Sequence, residues 1–538
     1  MKVRYTILFC AFLLMAVSLR AATITITNLL YSTVSAAISL ASPGDVVQLP
    51  AGTNVWTQSI SFSGITVRGA GTNQTVLVDE LSRGNGGGQM FVLNGMAGHL
   101  TELTGMQLRG GVTNTSENYY GTVVCSGSSN NTWRVDNCLF NNLYGKNIVV
   151  YGNAMSVIDH NTFLERAIAI TANNYFQGDS DGDLSYASPP TFGVNSSNVL
   201  YVEDNYFTNI ISSQPQVCDG QDGGRIVFRH NVVLNDNWGN HGTETGGRTR
   251  SERSFEVYDN SFSYPTQSWG NACFTANFIR GGSGVIYSNT FNGYNAAVTF
   301  RDFRLTDSFC GQWYPFCGAN GTNSWDSNNP TIYFSGTHTG DNNSPVLVMT
   351  NANWTPNQWY GYTVMNLNSG LFSVVLTNSA NTIYYIGSDS HTAGIVHNTL
   401  LTFNNGDHFR ICLVNVSLDQ PGRGSGDLLR DNGQDANGNL VVINTATGTS
   451  AWPHQALEPL YCWGNRLNGS PVTSLDNPYP QLKDGRDYYS NTPKPGYTPF
   501  VYPHPLVSGT INTNGGGTTN TSQQLLPPVN VHISGHSP

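Results

Sequence analysis

The sequence predicts an all-β protein, built as a right-handed single-stranded parallel β-helix with a small inserted β-module. Three observations predict it: a phrase recurs at the spacing of solenoid coils, charged residues are scarce, and turn-forming residues are abundant. The phrase is VDNCLF (135–140), IDHNTF (158–163), VEDNYF (202–207), FRHNVV (228–233), VYDNSF (257–262) and IYSNTF (286–291). Its fourth position, which we call the slot, holds Cys138, Asn161, Asn205, Asn231, Asn260 and Asn289, in steps of about 23 to 29 residues with one double step.

Each phrase reads as a short strand that ends in a tight bend. An apolar residue, a polar pair, the slot residue and another apolar residue follow one another. Asn tolerates the left-handed backbone conformation at the slot, and stacked Asn amides can hydrogen-bond from coil to coil. We therefore expect stacked coils over residues 59–300, with the slot residues in one column. A leucine-rich repeat fits poorly, because the period carries neither a Leu pattern nor a helical segment.

The composition is poor in charge and rich in turn formers. Charged residues make up 11% of the chain, about half the usual share for a soluble domain, whereas Gly contributes 58 residues. Hydrophobic residues at 39% are enough for a large core, which argues against disorder. The formal net charge of −10 argues against a nucleic-acid partner, because nucleic-acid binding needs a basic footprint.

Residues 1–22 have the pattern of a secretory signal peptide. Lys2 and Arg4 precede an apolar run from Ile7 to Val17, and small residues follow. The run is too short to span a bilayer, and no other segment approaches that length. We therefore expect a secreted, extracellular monomer without a membrane span, from which this segment has been cleaved.

Eight cysteines remain after that cleavage. An even number makes disulfides plausible in an exported chain, and Cys310 with Cys317 is the nearest pair and the best single prediction. Buried free thiols are the alternative. Metal ligation by cysteine is not expected, because the sequence has no CxxC or CxxH pair.

The N-terminal segment carries a family resemblance. YSTVSAAISLASPGDVVQLPAGT (31–53) and SISFSGITVRGAGTNQTVLV (59–78) resemble the opening of pectate-lyase-like β-helix proteins. In that superfamily a short amphipathic helix caps the solenoid, and a Gly-Asp turn and Ile-Thr-Val-x-Gly strands follow. The phrases LDQPGRG and YPHPL resemble an exported bacterial branch of it. The resemblance implies the fold over roughly residues 25 to 310, but no single activity, because this fold hosts lyases, hydrolases, esterases and adhesins.

The repeat breaks after Arg304, which predicts further domains. We expect a capped β-helix over 23–329, final coils with a C-terminal strap over 406–507, and a linker or tail over 508–538. Between them, 330–405 holds strand-like runs such as TIYFSG, LFSVVLT and TIYYIG separated by turn residues, which predicts the inserted β-module.

A ladder of polar side chains is expected on the outer face of the coils. Side chains alternate in and out along a strand, so the residues two positions before each slot should point outward. They are Asp136, Asp159, Glu203, Arg229, Tyr258 and Tyr287. Coils lie about 4.8 Å apart, so Glu203, Arg229 and Glu256 should lie side by side. The adjoining turn, 235–253, is the densest ionisable stretch, and it holds His241, Glu244, Arg248, Arg250, Glu252 and Arg253.

Such a cluster suits attack on an extracellular polysaccharide in two ways. A lyase acting on a uronate needs a cation beside the carboxylate and a base for the α-proton. A glycoside hydrolase needs two carboxylates about 5 Å apart for retention, or about 6.5–9.5 Å apart for inversion. Glu203 and Glu256 lie two coils apart, roughly 9–10 Å, which marginally fits inversion. The concentration of arginines slightly favours the lyase.

Residue roles follow from this hypothesis. The predicted catalytic residues are Glu203, Arg229, His241, Glu244 and Glu256. The predicted substrate-binding residues are Asp159, Arg225, Arg248, Arg250 and Tyr258. His241 is the expected base, because the ordinary pKa of His needs the least shift at neutral pH. Two alternatives stay open: a salt-bridged ladder that only keeps the sheet soluble, and a non-catalytic adhesive protein that binds glycans.

Two loops predict calcium as a cofactor. DSDGDL (179–184) offers Asp179, Asp181 and Asp183, and DANGNL (435–440) offers a similar set. Oxygen ligands at alternate positions around a Gly are typical of extracellular calcium loops. Neither loop has the complete EF-hand pattern, and plain Asx turns are the alternative.

Overall fold

The computed structural model describes most of the chain, in separate stretches. They are residues 21–83, 88–115, 120–127, 131–152, 155–166, 168–173, 182–196, 199–211, 216–242, 250–265, 275–301, 332–385, 401–412, 419–425, 443–444, 449–450 and 455–509. The apolar run of the expected signal peptide, the Cys310–Cys317 pair and the tail from 510 onward lie outside them. None of the described helices is long and apolar enough to cross a membrane.

Three long sheets form the body of the protein, and successive strands visit sheets A, B and C in turn. Sheet A consists of Thr23–Thr25, Val46–Gln48, Thr66–Arg68, Thr101–Thr104, Asn131–Asp136, Ser156–Asp159, Leu200–Glu203, Arg225–Arg229, Ser254–Tyr258, Ser283–Tyr287, Leu460–Trp463 and Tyr488–Ser490, and Met96–Ala97 pairs at its side. Neighbours along this path are parallel. The predicted right-handed parallel β-helix is therefore confirmed.

Sheets B and C complete each coil. Sheet B consists of Gly52–Trp56, Thr75–Asp79, Gln107–Gly110, Leu139–Asn141, Thr162–Glu165, Tyr206–Asn209, Val232–Leu234, Ser261–Ser263, Thr290–Asn292, Arg466–Leu467 and Ser470–Pro471. Sheet C consists of Ile60–Ser63, Phe91–Asn94, Val123–Gly127, Ile148–Gly152, Ile170–Asn173, Cys218–Gln221, Trp238–Asn240, Thr275–Ile279 and Ala296–Phe300. The inward side chains of all three sheets form one continuous apolar core.

A helix closes the first coil, as the family resemblance implied. Tyr31–Leu40 buries Val34 and Ala37 against the end of the core. The ring of Tyr31 meets that of Trp56 edge-on at 5.6 Å, and the indole N–H of Trp56 donates to the Leu29 carbonyl at 3.0 Å. The other described helical segments are Asp183–Ala187, the 3-10 turn Gly193–Asn195 and Pro505–Ser508.

The slot residues form one buried column at the bend between sheets A and B. The amide oxygen of Asn205 accepts the backbone N–H of Asn161 at 3.0 Å, and Asn231 does the same for Asn205 at 2.9 Å. The bond repeats along the stack through Asn260 and Asn289. The predicted column is therefore confirmed. Each amide supplies a hydrogen-bond partner to a backbone group that has lost its own partner at the bend.

The left-handed conformation lies one residue earlier than expected. Positive φ angles occur directly before the slots, at Asn137, His160, Asp204, His230, Asp259 and Ser288. The expectation that the slot itself is left-handed is wrong. The preceding residue makes the turn with its side chain toward solvent, which leaves the slot amide free to point inward.

Inside the coils, like side chains stack on like. The rings of Phe140, Phe163 and Phe207 lie parallel, with centroids 4.6 and 4.7 Å apart. These distances match the strand spacing of about 4.8 Å, so the apolar residue after each slot packs on its counterpart in the next coil. Cys125, Cys138, Cys218 and Cys462 are buried free thiols, as the alternative to disulfides expected for those four.

An antiparallel sheet is inserted between two coils. Its strands, in spatial order, are Ile332–Thr337, His408–Cys412, Thr363–Asn366, Phe372–Asn378, Thr382–Tyr385 and Leu347–Val348. Trp354 and Phe409 belong to its own core. The expected boundary at 405 is too early, because His408–Cys412, which we assigned to the final coils, pairs with Ile332–Thr337 in this module. The alternation of polar and apolar residues in His408–Cys412 is compatible with a strand of the solenoid as well as with one of the module.

The solenoid resumes after the module. Leu460–Trp463 pairs in parallel with Ser283–Tyr287, and Tyr488–Ser490 pairs with Leu460–Trp463. Two short antiparallel pairs accompany these coils: Arg423–Gly424 with Ala456–Leu457, and Ile443–Asn444 with Thr449–Ser450.

The C-terminal segment 491–508, which we call the strap, lies on the outer face of sheet A. Tyr497 packs on Trp463 of the last coils at 5.8 Å, and Phe500 packs on Tyr201 at 5.2 Å. Leu506 completes an apolar cluster with Val157, several coils earlier. The strap therefore runs back along the solenoid and covers the middle of this face.

Candidate functional site

The outward column of sheet A has the predicted register but not the predicted exposure. Asp159, Glu203, Arg229 and Tyr258 are neighbours in successive strands. The side chains of Glu203 and Arg229 are 0% exposed and form an ion pair, with Arg229 Nη2 2.6 Å from Glu203 Oε2. They lie on the outer face as expected, but they do not form a solvent-exposed ladder, because the strap lies over them.

Arg229 is held on every side. It donates to the carbonyls of Phe500 and Val501 in the strap at 2.8 and 2.9 Å, and to the hydroxyl of Tyr258 at 2.9 Å. Its guanidinium also faces the ring of Tyr201, at 5.0 Å from the ring centroid. A substrate could reach this cation only after the strap had left.

Glu203 is equally engaged. Its Oε1 accepts the backbone N–H of His504 at 2.8 Å, so the Glu203–Arg229 pair anchors the strap at two points. Burial raises the pKa of Glu203, although the charge of Arg229 opposes the shift. Burial also lowers the pKa of His504 to about 3, so its ring stays neutral beside Arg229.

Glu256 fixes a different covering segment. Its Oε1 accepts from the backbone N–H of Gly193 at 2.9 Å and from the Ser196 hydroxyl at 2.8 Å, and its Oε2 accepts from Tyr497 at 2.6 Å. Burial raises the pKa of Glu256. Because Glu203 and Glu256 are both enclosed and bonded, they do not form the open pair of carboxylates that a hydrolase needs.

Two of the predicted substrate-binding residues lie in this covered column. Asp159 is fully buried and accepts a two-point hydrogen bond from Arg134 at 2.6 and 2.8 Å. Tyr258 stacks on Tyr287 at 4.7 Å and is 2% exposed. Both residues therefore stabilise the sheet A face in this structure.

The predicted arginines at the corner between sheets C and A also bind protein groups. Arg225 donates to the carbonyls of Ser185 and Ser188 at 2.7 and 3.1 Å, and burial lowers its pKa to about 10. The side chain of Arg250 is 0% exposed and donates two hydrogen bonds to the Asp419 carboxylate, at 2.9 and 3.0 Å. These cations hold the segments that contain Ser185 and Asp419 against the solenoid.

Several predicted site residues lie outside the described residues. Glu244 and Arg248 fall in 243–249, and Asp179 and Asp181 fall in 174–181. Asp183 begins the helix Asp183–Ala187, but only its backbone is described. Within the stretches that the structure describes, no group of three or more His, Cys, Asp or Glu residues could hold a metal ion. The calcium expectation therefore remains a prediction.

His241, one of the predicted catalytic residues, lies in a largely buried polar cluster on the outer face of sheet C. It directly follows the strand Trp238–Asn240, whose Gly239 pairs with Asp219 of the neighbouring coil. This register brings His241 within reach of the carboxylate, and His241 Nδ1 is hydrogen-bonded to Asp219 Oδ1. The His241 side chain is 11% exposed, whereas that of Asp219 is 0% exposed.

Cations surround this His–Asp pair. Arg280 lies on the next coil, with Nη2 3.9 Å from Asp219 Oδ1, and Lys146 acts on the same carboxylate from an earlier coil. Burial alone would raise the pKa of Asp219, but the charge and hydrogen bond of His241, together with Arg280 and Lys146, lower it to about 2. Asp219 is thus a fixed anion that orients an imidazole.

A second arginine extends the cationic surface. The guanidinium groups of Arg280 and Arg301 lie 5.4 and 5.3 Å from the centroid of the Phe278 ring. The Arg280 side chain is 9% exposed, and Arg301 is half-buried. Sequence reasoning missed Arg280, Arg301 and Lys146, because the sheet C strands carry no repeated phrase from which their register could be read.

This arrangement has a clear chemical capacity. A carboxylate bound to Nδ1 keeps that nitrogen protonated and makes Nε2 the proton-exchanging atom of His241. Arg280 supplies a permanent positive charge within reach of an acidic group. A base next to a fixed cation is the minimum set for removing a proton adjacent to a carboxylate.

Three carboxyl groups lie buried behind this surface, inside the coils. Glu165 and Asp236 interact with each other, and burial raises the pKa of both well above the ordinary range. Glu252 lies against Gly220, where an added Cβ would come within 2.3 Å of its carboxyl carbon, and burial raises its pKa as well. Burial thus favours the neutral form of all three carboxyl groups.

Comparisons with known proteins give structural neighbours only. No protein-family model matches the sequence, and no curated protein resembles it significantly. A PL6 family alginate lyase matches with a TM-score of 0.32 and 14% identity over 52% of this chain and 40% of that chain. A mutant of that lyase gives a TM-score of 0.30, 15% identity and the same coverage. A pectin methylesterase mutant in complex with a hexasaccharide gives 0.27 and 8% over 52% and 80% of the two chains. The chain thus spans less than half the length of the lyase, and likeness of this degree assigns no activity.

Proposed function

We propose that this protein is a secreted polysaccharide lyase that acts on an acidic extracellular polymer, with its site at His241, Asp219 and Arg280. The observation that carries the proposal is the hydrogen bond between His241 and the buried carboxylate of Asp219, beside Arg280, whose side chain is 9% exposed. The signal-peptide pattern of residues 1–22 supports export.

The proposed reaction is a β-elimination. Arg280 binds the uronate carboxylate and stabilises the negative charge that develops on it. His241 Nε2 removes the α-proton, and the released electron pair forms the carbon–carbon double bond. The bond to the glycosidic oxygen breaks, and that oxygen takes a proton from a general acid or from water. The products are an unsaturated uronate end and a new free hydroxyl.

The structure favours this chemistry over hydrolysis at the predicted ladder. Glu203 and Glu256, the pair that would serve a hydrolase, are enclosed by the strap and by segment 182–196. Asp219 is the charged carboxylate of the sheet C cluster, but its partner is an imidazole rather than a second carboxyl. An inverting or retaining hydrolase requires two carboxyl groups.

Activity screening with a matched pair of variants tests the proposal. Purified protein is offered acidic and neutral polysaccharides, and both unsaturated-product absorbance and reducing ends are followed. His241→Asn should lower turnover at least about a hundredfold, the low end for general-base catalysis. His160→Asn is the control, because His160 forms a similar bond to Asp159, at 2.8 Å, on the sheet A side.

Three outcomes would contradict the proposal. Reducing ends without unsaturated products would identify a hydrolase. Turnover that survives His241→Asn would move the site elsewhere. Glycan binding without turnover of any polymer would favour the adhesive protein.

A further inference from the structure

An open-sided cavity of about 540 Å³ lies between the inserted module and the last coil. Ligand pockets in proteins are typically about 300–1,000 Å³. The module contributes Asn357, Gln358 and Tyr360, and the solenoid contributes Lys483, Asp484 and Arg486. Neither the sequence hypothesis nor the proposed reaction uses this cavity.

The two walls of the cavity are fitted to each other. The ammonium of Lys483 lies 3.5 Å from the Tyr360 carbonyl oxygen and 3.8 Å from the centroid of the Tyr360 ring. Gly361 permits this approach: its φ is +83°, and a Cβ there would come within 2.7 Å of the Pro480 carbonyl and 2.8 Å of Lys483 Nζ. A side chain at position 361 would push the walls apart.

The module wall presents hydrogen-bond donors. The amide oxygen of Asn357 accepts from the Thr377 hydroxyl at 2.6 Å, and that of Gln358 accepts from the backbone N–H of Thr355 at 3.0 Å. Both side chains are exposed, so their NH₂ groups are the ends available to a ligand. A wall of this kind binds oxygen acceptors.

The solenoid wall carries a positive charge. The buried carboxylate of Asp487 accepts from Arg486 Nε at 2.8 Å and lies 3.1 Å from Arg423 Nη2. Of the charged residues that line the cavity, Lys483 and Arg486 are cations and Asp484 is an anion, so one positive charge is in excess. Burial, and then Arg486, lower the pKa of Lys483 to about 8. A bound anion would offset the cost of keeping that ammonium charged.

We infer that this cavity binds a carboxylate-bearing sugar, with the carboxylate at Lys483 and the sugar hydroxyls at the amides of Asn357 and Gln358. The exposed Tyr360 side chain supplies the aromatic contact on which sugar rings pack. The carboxylate chemistry follows from the cavity alone. The choice of an acidic sugar over a small organic acid rests on the proposed function.

Titration calorimetry on the full chain tests this inference. The His241→Asn protein is used so that an acidic trisaccharide, trigalacturonate, is not consumed. Lys483→Met keeps the alkyl stem over Tyr360 but removes the charge, and it should weaken binding about tenfold. Lys483→Arg should retain most of the affinity. Lys494→Met is the matched control, because Lys494 also lies over aromatic rings, 4.8 Å from that of Tyr461 and 4.9 Å from that of Phe192.

Two further ligands are compared with trigalacturonate, and the melting temperature of each variant is measured. Maltotriose, a neutral trisaccharide, should bind more weakly than trigalacturonate, and citrate should also bind more weakly because it offers no sugar ring. Equal affinity of Lys483→Met and its parent, at unchanged melting temperature, would overturn the inference. Citrate binding as tightly as trigalacturonate would overturn the sugar assignment. If binding depends on Lys483 but the protein with His241 intact turns over no polymer, the inference is sustained and the proposed function is refuted.

Discussion

Glu203 and Arg229 form a fully buried ion pair that anchors the C-terminal strap to the solenoid. The carboxylate binds the backbone N–H of His504, while the guanidinium binds the carbonyls of Phe500 and Val501. The pair therefore satisfies backbone groups of a strap segment that has no strand partner of its own. Its role in this structure is to close the sheet A face, which a solenoid would otherwise expose.

Breaking this pair should destabilise the protein. Arg229→Met leaves the Glu203 carboxylate buried without its cation, and loss of one partner of a buried pair costs about 3–5 kcal/mol in the free energy of unfolding. Urea unfolding measures the change. Arg301→Met is the control, because that half-buried arginine has an aromatic neighbour and should cost much less. An Arg229→Met protein as stable as the parent would show that the strap does not depend on the pair.

The register of the coils was predictable from the sequence, but the strap that covers sheet A was not. The slot Asn recurs in the sequence, and each slot Asn must lie next to the Asn of the adjoining coil. The neighbours of Asn205 and Glu203 in the next strand could therefore be predicted from the repeat. The strap lies about 270 residues from Arg229 along the chain, and its bonds to that residue run through backbone carbonyls. Backbone carbonyls leave no sequence pattern, so outward-facing residues were wrongly expected to be exposed.

The candidate site on sheet C was half predictable for a related reason. His241 stood out because ionisable residues cluster in its turn, and the ordinary pKa of His suits a base. Its partners Asp219 and Arg280 lie on separate coils, and turns of different length connect them. Sheet C has no slot residue to fix the register across those turns, so only the structure brings the three side chains together.

The Asn column should contribute strongly to stability. Asn231→Ala removes the amide that donates to the Val202 carbonyl and accepts from the N–H of Asn205, both at 2.9 Å. Losing these bonds and leaving buried backbone groups unpaired should cost about 2–4 kcal/mol. Thermal or urea unfolding measures it. Asn292→Ala, at an exposed sheet B position, should change stability little, and equal effects of the two substitutions would refute a special role for the column.

The buried carboxyl groups predict a pH dependence of stability. Burial raises the pKa of Glu165 and of Asp236 in the folded state, so their contribution to stability is fully present below the ordinary carboxyl pKa. It is lost as the pH rises toward the folded-state values, because the unfolded chain releases protons that the folded chain retains. Glu165→Gln should therefore raise the melting temperature at pH 8 and reduce its fall between pH 5 and 8. The free energy of unfolding involved is about 1.4 kcal/mol for each unit by which folding raises the pKa.

Glu80→Gln is the control of opposite sign for that experiment. The backbone N–H groups of Thr113, Asn114 and Val112 lower the pKa of Glu80, so its charged form stabilises the fold above the ordinary carboxyl pKa. Its substitution should lower the melting temperature at neutral pH and have less effect in acid. A Glu165→Gln protein that loses stability at pH 8 would mean that this carboxyl is charged in the folded state.

Calcium at residues 179–183 remains a prediction, and chelation tests it. If Asp179, Asp181 and Asp183 bind the ion, a chelator should lower the melting temperature. The stabilisation lost is about 2.7 kcal/mol when free calcium is a hundred times the dissociation constant. Asp181→Asn should abolish the response. An identical melting temperature with calcium and with chelator would leave the loop as an Asx turn.

The roles of Asp219 and Arg280 in the proposed site should separate kinetically. Asp219→Asn keeps the shape of the side chain but removes the charge that orients the imidazole, so kcat should fall at least about a hundredfold with a small change in KM. Arg280→Met removes the cation that binds the uronate carboxylate and stabilises its developing charge, so KM should rise and kcat should fall together. Asp219 has a pKa of about 2 in the folded state, against an ordinary value of 3.8. Its contribution to stability is therefore present above pH 4 and is lost as the pH falls toward 2. Assays at pH 6 to 8 on variants with normal melting temperatures thus report catalysis rather than folding, and a kcat unaffected by Asp219→Asn would show that His241 does not act as the oriented base.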